Sequence, residues 1–354
     1  MKILTVVGAR PQFIKAAMVS NKIRKKNTEI LVHTGQHYDA DMSDVFFDEL
    51  GIPKPDYNLG IGSSMHGHQT GNMLIKLEDI YLKEKPDAVL VYGDTNSTLA
   101  GALCASKLLI PVAHVEAGLR SFNKRMPEEQ NRIVADHLSD ILFTPTNAAV
   151  SNLKNENIIN GIYNVGDVMF DAINFFNHKA ENISQIKQIL DLDKKDYILS
   201  TIHRAENTND PQKLSKIIYA LNECGQRVIF PLHPRTKKFI EKYNIILADN
   251  IEIIDPVGYL EMILLEKNAS KIVTDSGGVQ KEAYFLKKPC ITARDETEWI
   301  ETINDGWNMI VGSNSNKILD AIQNFNPDGT THNIFGYGNA SDLICNILLK
   351  KIKS

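Results

Sequence analysis

KIVTDSGGVQKEA, residues 271–283, changes its periodicity halfway along. The β-branched run Ile272–Thr274 predicts a buried strand and Asp275-Ser276-Gly277-Gly278 a tight turn. Val279, Ala283 and Leu286 then recur on one face of a helix. Strand, turn and helix in immediate succession are the unit from which parallel α/β sheets are built. Glycines at such a junction let an anion reach the backbone, and the first free N–H groups of the helix, with its dipole, favour negative charge there. The turn alone reads equally as a phosphate seat or as a plain βα connection capped by Ser276.

The same strand-then-helix pattern recurs along the chain. A first series has strands at Ile3–Val7, Ile30–His33, Ala88–Tyr92, Val112–Val115, Ile141–Phe143 and Tyr163–Val165. A second has Ile198–Ile202, Val228–Pro231, Ile251–Ile254, Ile272–Thr274 and Cys290–Thr292. Gly166-Asp167 separates the two and a bridging helix starts at Val168. A length of 354 residues suits two domains. The expected fold class is therefore α/β, with two Rossmann-like domains, 1–166 and 167–354, facing across a cleft. A helix at Ser341–Lys351, with apolar Leu343, Ile344, Ile347 and Leu348, is expected to dock back.

Polar residues stand just past these strands: Arg10, His37, Asp94 and Glu116 in the first series, His203, His233 and Ser276 in the second. That is where ligands bind in open parallel sheets. Each one singly also reads as a cap or turn former. The turn Gly8-Ala9-Arg10-Pro11 lacks GxGxxG, which disfavours NAD, and Arg10 with Lys15 supplies fixed positive charge instead. A formal charge of -4 and a pI near 6.2 give no general reason to bind nucleic acid or an anionic membrane, so any anion site is local. Cys104, Cys224, Cys290 and Cys345 have no metal-ligand spacing, and no secretory or spanning segment stands out, so a cytoplasmic protein is expected. His66 and His68 fall in the segment Gly60–Gly71, read as a loop without a carboxylate cluster, and no metal is expected.

Arg10, Lys15, His203 and Ser276-Gly277-Gly278 suit a diphosphate, and the acids Asp94, Glu116 and Glu128 suit proton transfer on a sugar. Glu128 also reads as a helix-end charge with Arg132 as its i+4 partner. No nucleophilic Ser or Cys arrangement is present. Spacing alone reaches an enzyme acting on a phosphorylated or nucleotide-linked compound.

GARPQFIK at 8–15, GQH at 35–37, YGDTNST at 92–98, HVEAGLRS at 114–121, MPEEQNR at 126–132, NVGD at 164–167, HRAEN at 203–207, DSGGVQKEA at 275–283 and RDETEW at 294–299 resemble, in this order, the non-hydrolysing UDP-N-acetylglucosamine 2-epimerases. The resemblance implies a glycosyltransferase-B type fold and a C2 epimerisation by UDP elimination and re-addition through a 2-acetamidoglucal. No cofactor is needed, the partner is a UDP-sugar, and a homodimer is expected. It makes Asp94, Glu116, Glu128 and His203 catalytic. Arg10, Lys15, His233, Ser276, Gly277, Gly278 and Glu282 become UDP ligands, and Gln36 with His37 a possible activator site. Gln12 stands where many members have Glu. Trp299 stands where many have Arg, which implies an aromatic wall in place of a charged one. RPQFIKAA and DETEW resemble the members that act on UDP-2,3-diacetamido-2,3-dideoxyglucuronate, the alternative substrate. A hydrolysing 2-epimerase and a glycosyltransferase of the same fold are the rival readings.

Overall fold

The computed structural model describes residues 1–36, 47, 51, 54–183, 185–193 and 196–352. Residues 42–50, whose sequence reads as a helical stretch, fall outside them apart from Phe47, and so does His37. Two compact units form: Met1–Asn174 with Asn333–Ser354, and Phe175–His332.

The first unit is built on a parallel sheet of β1 (Lys2–Val7), β2 (Thr28–His33), β3 (Tyr57–Asn58), β4 (Ala88–Tyr92), β5 (Val112–Val115), β6 (Ile141–Thr144) and β7 (Ile162–Asn164), in the order β3-β2-β1-β4-β5-β6-β7. The second has β8 (Ile198–Thr201), β9 (Val228–Pro231), β10 (Ile251–Ile254), β11 (Lys271–Thr274), β12 (Cys290–Thr292) and β13 (Asn308–Ile310), in the order β10-β9-β8-β11-β12-β13. Both run outward in two directions from a central pair, β1/β4 and β8/β11. This is the doubly wound Rossmann order. The expected α/β class with two Rossmann-like sheets is what folds.

Helices cover both faces of such sheets, so their strands read as continuous apolar runs. Ile3, Leu4, Val6 and Val7 of β1 are all buried, as are Ile272 and Val273 of β11. Glu29 of β2 accepts from Thr5 (2.6 Å), Ser20 (2.8 Å) and Arg24 (2.7 Å), tying β1 and helix Arg10–Ile23 to β2. The segment read as a loop around His66 is instead the first turn of helix His66–Glu84, which buries Met73, Leu77, Ile80 and Tyr81. His66 Nδ1 lies 3.2 Å from Asn96 Nδ2. Among the described residues no group of three His, Cys, Asp or Glu is arranged to hold a metal, and no helix is long and apolar enough to cross a membrane.

The division at 166/167 differs from the observed units, for a reason visible in the backbone. Residues 333–352 return to the first unit, crossing at Gly166 and Gly336, where a Cβ on Gly166 would stand 2.7 Å from Phe335 O. The Asp167 N–H donates to Phe335 O (2.9 Å), and Asp171 accepts from the N–H groups of Ala340 (3.0 Å) and Ser341 (2.7 Å), capping helix Ala340–Ile352. That helix packs on Arg10–Ile23, with Lys22 paired to Asp342 (2.7 Å). The glycine that punctuates the sequence at 166 is thus a crossing point, and the C-terminal helix docks on the first unit.

His33, ending β2, is 1% exposed, with its ring edge-on to Phe13 at 5.0 Å. Burial pushes its pKa down from 6.5 to about 4. The unfolded chain takes up a proton below its ordinary value that the folded chain refuses. Stability is therefore full above that value and falls as the pH drops toward 4, by up to roughly 3 kcal/mol. In urea unfolding at pH 7.5 and pH 5, His33→Phe is expected to lose less stability between the two than the parent chain; an equal loss would assign the acid limb to other groups.

Candidate active site

In the first unit the sequence-predicted residues gather at the C-terminal ends of β1, β4 and β5. Helix Arg10–Ile23 begins directly after β1, with Pro11 in its first turn. Gln12, 2% exposed, spans two turns. Its Oε1 accepts from the N–H groups of Gly8 (2.8 Å) and Ala9 (3.1 Å), and its Nε2 donates to Tyr92 O (2.6 Å), Thr95 Oγ1 (2.9 Å) and Thr98 Oγ1 (2.9 Å). The turn carrying Arg10 is thereby fixed to the turn carrying Asp94. An amide fits because it accepts at one end and donates at the other.

Lys15 forms an ion pair with Glu116, both side chains almost covered, where the sequence reading gave Lys15 to phosphate. The pair lies over Gly93: a Cβ built there would be 3.4 Å from Glu116 Oε2 and 3.6 Å from Lys15 Nζ. Glu116 itself sits at φ +74, an uncommon conformation for a side-chain-bearing residue.

Asp94 is paired with Arg132, one turn along from Glu128 on helix Pro127–Leu138. Arg132 also holds Glu129 (2.8 Å). Asn131 donates to the backbone carbonyl of Asp94 (3.0 Å). Adjacent carboxylates on this helix differ completely. Glu129 is 1% exposed and takes the N–H groups of Ser121 and Phe122, both at 2.9 Å, whereas Glu128 is exposed. Gln36, offered as an activator ligand, accepts from Ser97 N (2.9 Å) and Ser97 Oγ (2.7 Å) at the start of helix Asn96–Lys107.

In the second unit the corresponding strand ends are organised by Asp275, which is fully buried. It accepts from the N–H groups of His203 (3.0 Å) and Arg204 (3.0 Å) and from Asn207 Nδ2 (3.0 Å), pinning the turn after β8 to the turn after β11. The ring of His203 lies 5.6 Å from that of His233, whose Nδ1 accepts from Arg235 N (3.1 Å) and caps helix Pro234–Lys242. Ser276 caps helix Gly277–Phe285, and Gly278 is exposed beside it. A Cβ on Gly277 would come within 2.4 Å of Glu298 Oε1, so any larger residue there would have to displace the Glu298 carboxylate. Glu298 is held by Arg294 (3.0 Å), with Arg204 at 3.9 Å. Glu282 is 6% exposed on the same helix. Trp299 is no exposed wall: it is 4% exposed, with Lys281 Nζ 4.0 Å from its ring centre.

Arg132, Glu129 and Asp275 have clear parts in this geometry that the sequence reading did not assign. Asp275 stood in the quoted turn, and its position one residue past a buried strand was the available signal.

The family model described as UDP-N-acetylglucosamine 2-epimerase matches residues 21–349. A UDP-N-acetylglucosamine 2-epimerase homolog of Methanococcus maripaludis is 60% identical over 98% of this chain and 99% of its own length. The chain belongs to the UDP-N-acetylglucosamine 2-epimerase family. Another relative, at 53% identity over 99% of this chain and 100% of its own, is the UDP-2,3-diacetamido-2,3-dideoxy-D-glucuronate 2-epimerase of Pseudomonas aeruginosa. The crystal structure of the Methanocaldococcus jannaschii UDP-GlcNAc 2-epimerase with UDP-GlcNAc and UDP superposes with a TM-score of 0.93 at 46% identity, covering 99% of this chain and 100% of that one. This epimerase is accordingly an isomerase of glycosyltransferase-B type fold.

Gln12→Ala leaves two turn N–H groups without their acceptor, while Tyr92 O keeps the Thr98 hydroxyl (2.6 Å), and is expected to cost about 2–4 kcal/mol in urea unfolding. Gln12→Glu keeps the accepting oxygen and should cost less. Equal costs would remove the accepting half of the clamp from the account.

Proposed function

We propose that this epimerase inverts C2 of a UDP-linked 2-acetamido sugar by eliminating and re-adding UDP. The carrying observation is the placing of two ion-paired carboxylates, Asp94 and Glu116, at the ends of adjacent strands, with Glu128 exposed one turn from Arg132. A reaction that takes a proton from one face of a carbon and returns it to the other needs more than one proton-handling group.

In the forward step a carboxylate of this set takes the C2 proton, the C–H electron pair forms the C1=C2 bond, and the C1–O pair leaves with UDP. The 2-acetamidoglucal so formed takes UDP back at C1 while C2 is protonated from the opposite face. The C2 hydrogen is not acidic, so stabilising the departing diphosphate carries much of the barrier. For that we assign His203 and His233, the capped helix start at Ser276-Gly277-Gly278, and Arg10 at the turn after β1; Glu282 is assigned to the ribose. Lys15, drawn to Glu116, acts on the diphosphate only if that pair exchanges. Gln36 and His37 carry a second, regulatory sugar nucleotide in this reading only if Gln36 gives up its contacts to Ser97.

UDP-GlcNAc is the first substrate on family membership. UDP-2,3-diacetamido-2,3-dideoxyglucuronate is the second, favoured by the 53% identity to the Pseudomonas enzyme. Work on surface-polysaccharide precursors in the cytoplasm, with neither nucleic acid nor membrane as partner, completes the proposal. Ile75 and Leu82, seven residues apart on helix His66–Glu84, are 65% and 58% exposed and support a homodimer. Sedimentation velocity is expected to give twice 39.7 kDa; a single chain's mass would reject the dimer.

Proton NMR of UDP-GlcNAc incubated with the protein in D₂O is expected to show UDP-ManNAc with deuterium at C2. Release of free ManNAc would move the activity to the hydrolysing class, and an unchanged UDP-GlcNAc would move it to the diacetamido-uronate, assayed the same way. Asp94→Asn and Glu128→Gln are each expected to lower kcat by about 10²–10⁴ while UDP affinity is retained. Full turnover in either variant would remove that carboxylate from the chemistry.

A further inference from the structure

His114 lies in the middle of β5 and is wholly buried. Its Nδ1 is 2.7 Å from Asp136 Oδ1 and its Nε2 is 2.7 Å from the backbone oxygen of Gly93. A backbone carbonyl has no proton to give. Asp136 is an acceptor as well: the Arg120 guanidinium on its other oxygen (2.7 Å), beside the Gly118 N–H (3.1 Å), favours the carboxylate over the acid, so Oδ1 carries no proton to give. A neutral imidazole offers one N–H and one lone pair. Whichever tautomer it adopted here, one nitrogen would set its lone pair against an oxygen lone pair at hydrogen-bond distance. Two facing acceptors require two ring N–H groups.

We infer that His114 is a buried imidazolium that acts as a positioning residue for the epimerisation. Its Nε2–H holds the carbonyl of Gly93, the residue before Asp94. Its Nδ1–H ties β5 to helix Pro127–Leu138, which bears Glu128 and Arg132. Glu116 follows two residues further along the His114 strand. One ring thereby joins the three segments that carry the acids assigned above.

The charges close locally. His114 and Arg120 are balanced by Asp136 and by Glu156, which receives Arg120 through two 2.7 Å bonds. The nearby Lys15–Glu116 pair is neutral in itself. Burial works against the Asp136 carboxylate, but the His114 and Arg120 contacts outweigh it and hold its pKa below the ordinary value. A buried cation is tolerable on such terms because every partner is hydrogen-bonded.

The positioning role rests on the proposed function; the protonation state does not. Long-range ¹H–¹⁵N spectra of histidine-labelled protein at pH 7.5, assigned by loss of signals in His114→Phe, are expected to show both His114 nitrogens protonated. Asp136→Asn, which removes the counter-charge, is expected to turn one of them into an unprotonated nitrogen. His114→Phe keeps the ring volume and removes both donors; kcat is expected to fall by about 10²-fold while KM and UDP affinity change little, because the acids shift while the UDP ligands of the second unit are untouched. An unprotonated His114 nitrogen in the parent protein would overturn the imidazolium, with His114→Gln supplying the assignment where His114→Phe does not fold. A folded His114→Phe with the parent's kcat would overturn the positioning role. Failure of the parent to turn over either sugar nucleotide would defeat the proposed function and the positioning role with it, and the spectrum would still decide the charge state.

Discussion

Backbone N–H groups that emerge past a parallel strand have no ladder partner, and in this protein each central strand solves that need with one buried side chain. Gly8 and Ala9, after β1, donate to Gln12; His203 and Arg204, after β8, donate to Asp275. Each acceptor also touches the neighbouring strand's turn, so the same contact that satisfies the backbone sets the spacing of the switch point. The two units reach this end with different chemistry. Gln12 accepts at one end and donates to Tyr92 O at the other, which suits an amide, whereas Asp275 meets donors alone and is a carboxylate.

On this frame the first unit places its acids in pairs with cations. Asp94 shares Arg132 with Glu129, and Glu116 faces Lys15. Long side chains fixed by charge-assisted bonds lose little further freedom when a substrate arrives, which is the condition for holding a reacting carbon within reach of more than one carboxylate. In the second unit the open feature is a helix start with a bare glycine, flanked by Glu298 that Arg294 already engages. The anion seat proposed there would be made of dipole and backbone, and the Glu298 carboxylate beside it has its charge engaged by Arg294.

Much of this was legible because parallel strands write themselves as unbroken apolar runs and their ends as Gly, Asp, His and Ser. What stayed hidden was tertiary. Glu128 and Glu129 are neighbours of the same type, and only the path of residues 119–123 over the helix start makes one of them a structural ligand. The strands Tyr57–Asn58 and Asn308–Ile310 are edge strands too short to show a period. Gly60–Gly71 reads as a loop from its glycines, yet its second half starts a long helix whose apolar spacing becomes visible only beyond Met73. Trp299 marks a departure from the family pattern at a place that packing, not solvent, occupies. The Gly-Asp dipeptide at 166–167 marks a sharp turn, and at this one a distant segment crosses.

That crossing bears on synthesis. The second unit is continuous from Phe175 to His332, whereas the first needs residues 333–352 to cover helix Arg10–Ile23. As the chain leaves the ribosome, the later-made unit has its whole sequence in hand while the earlier-made one still lacks a helix. Vectorial folding is therefore out of step with chain order: the acids assigned to proton transfer belong to the unit completed last.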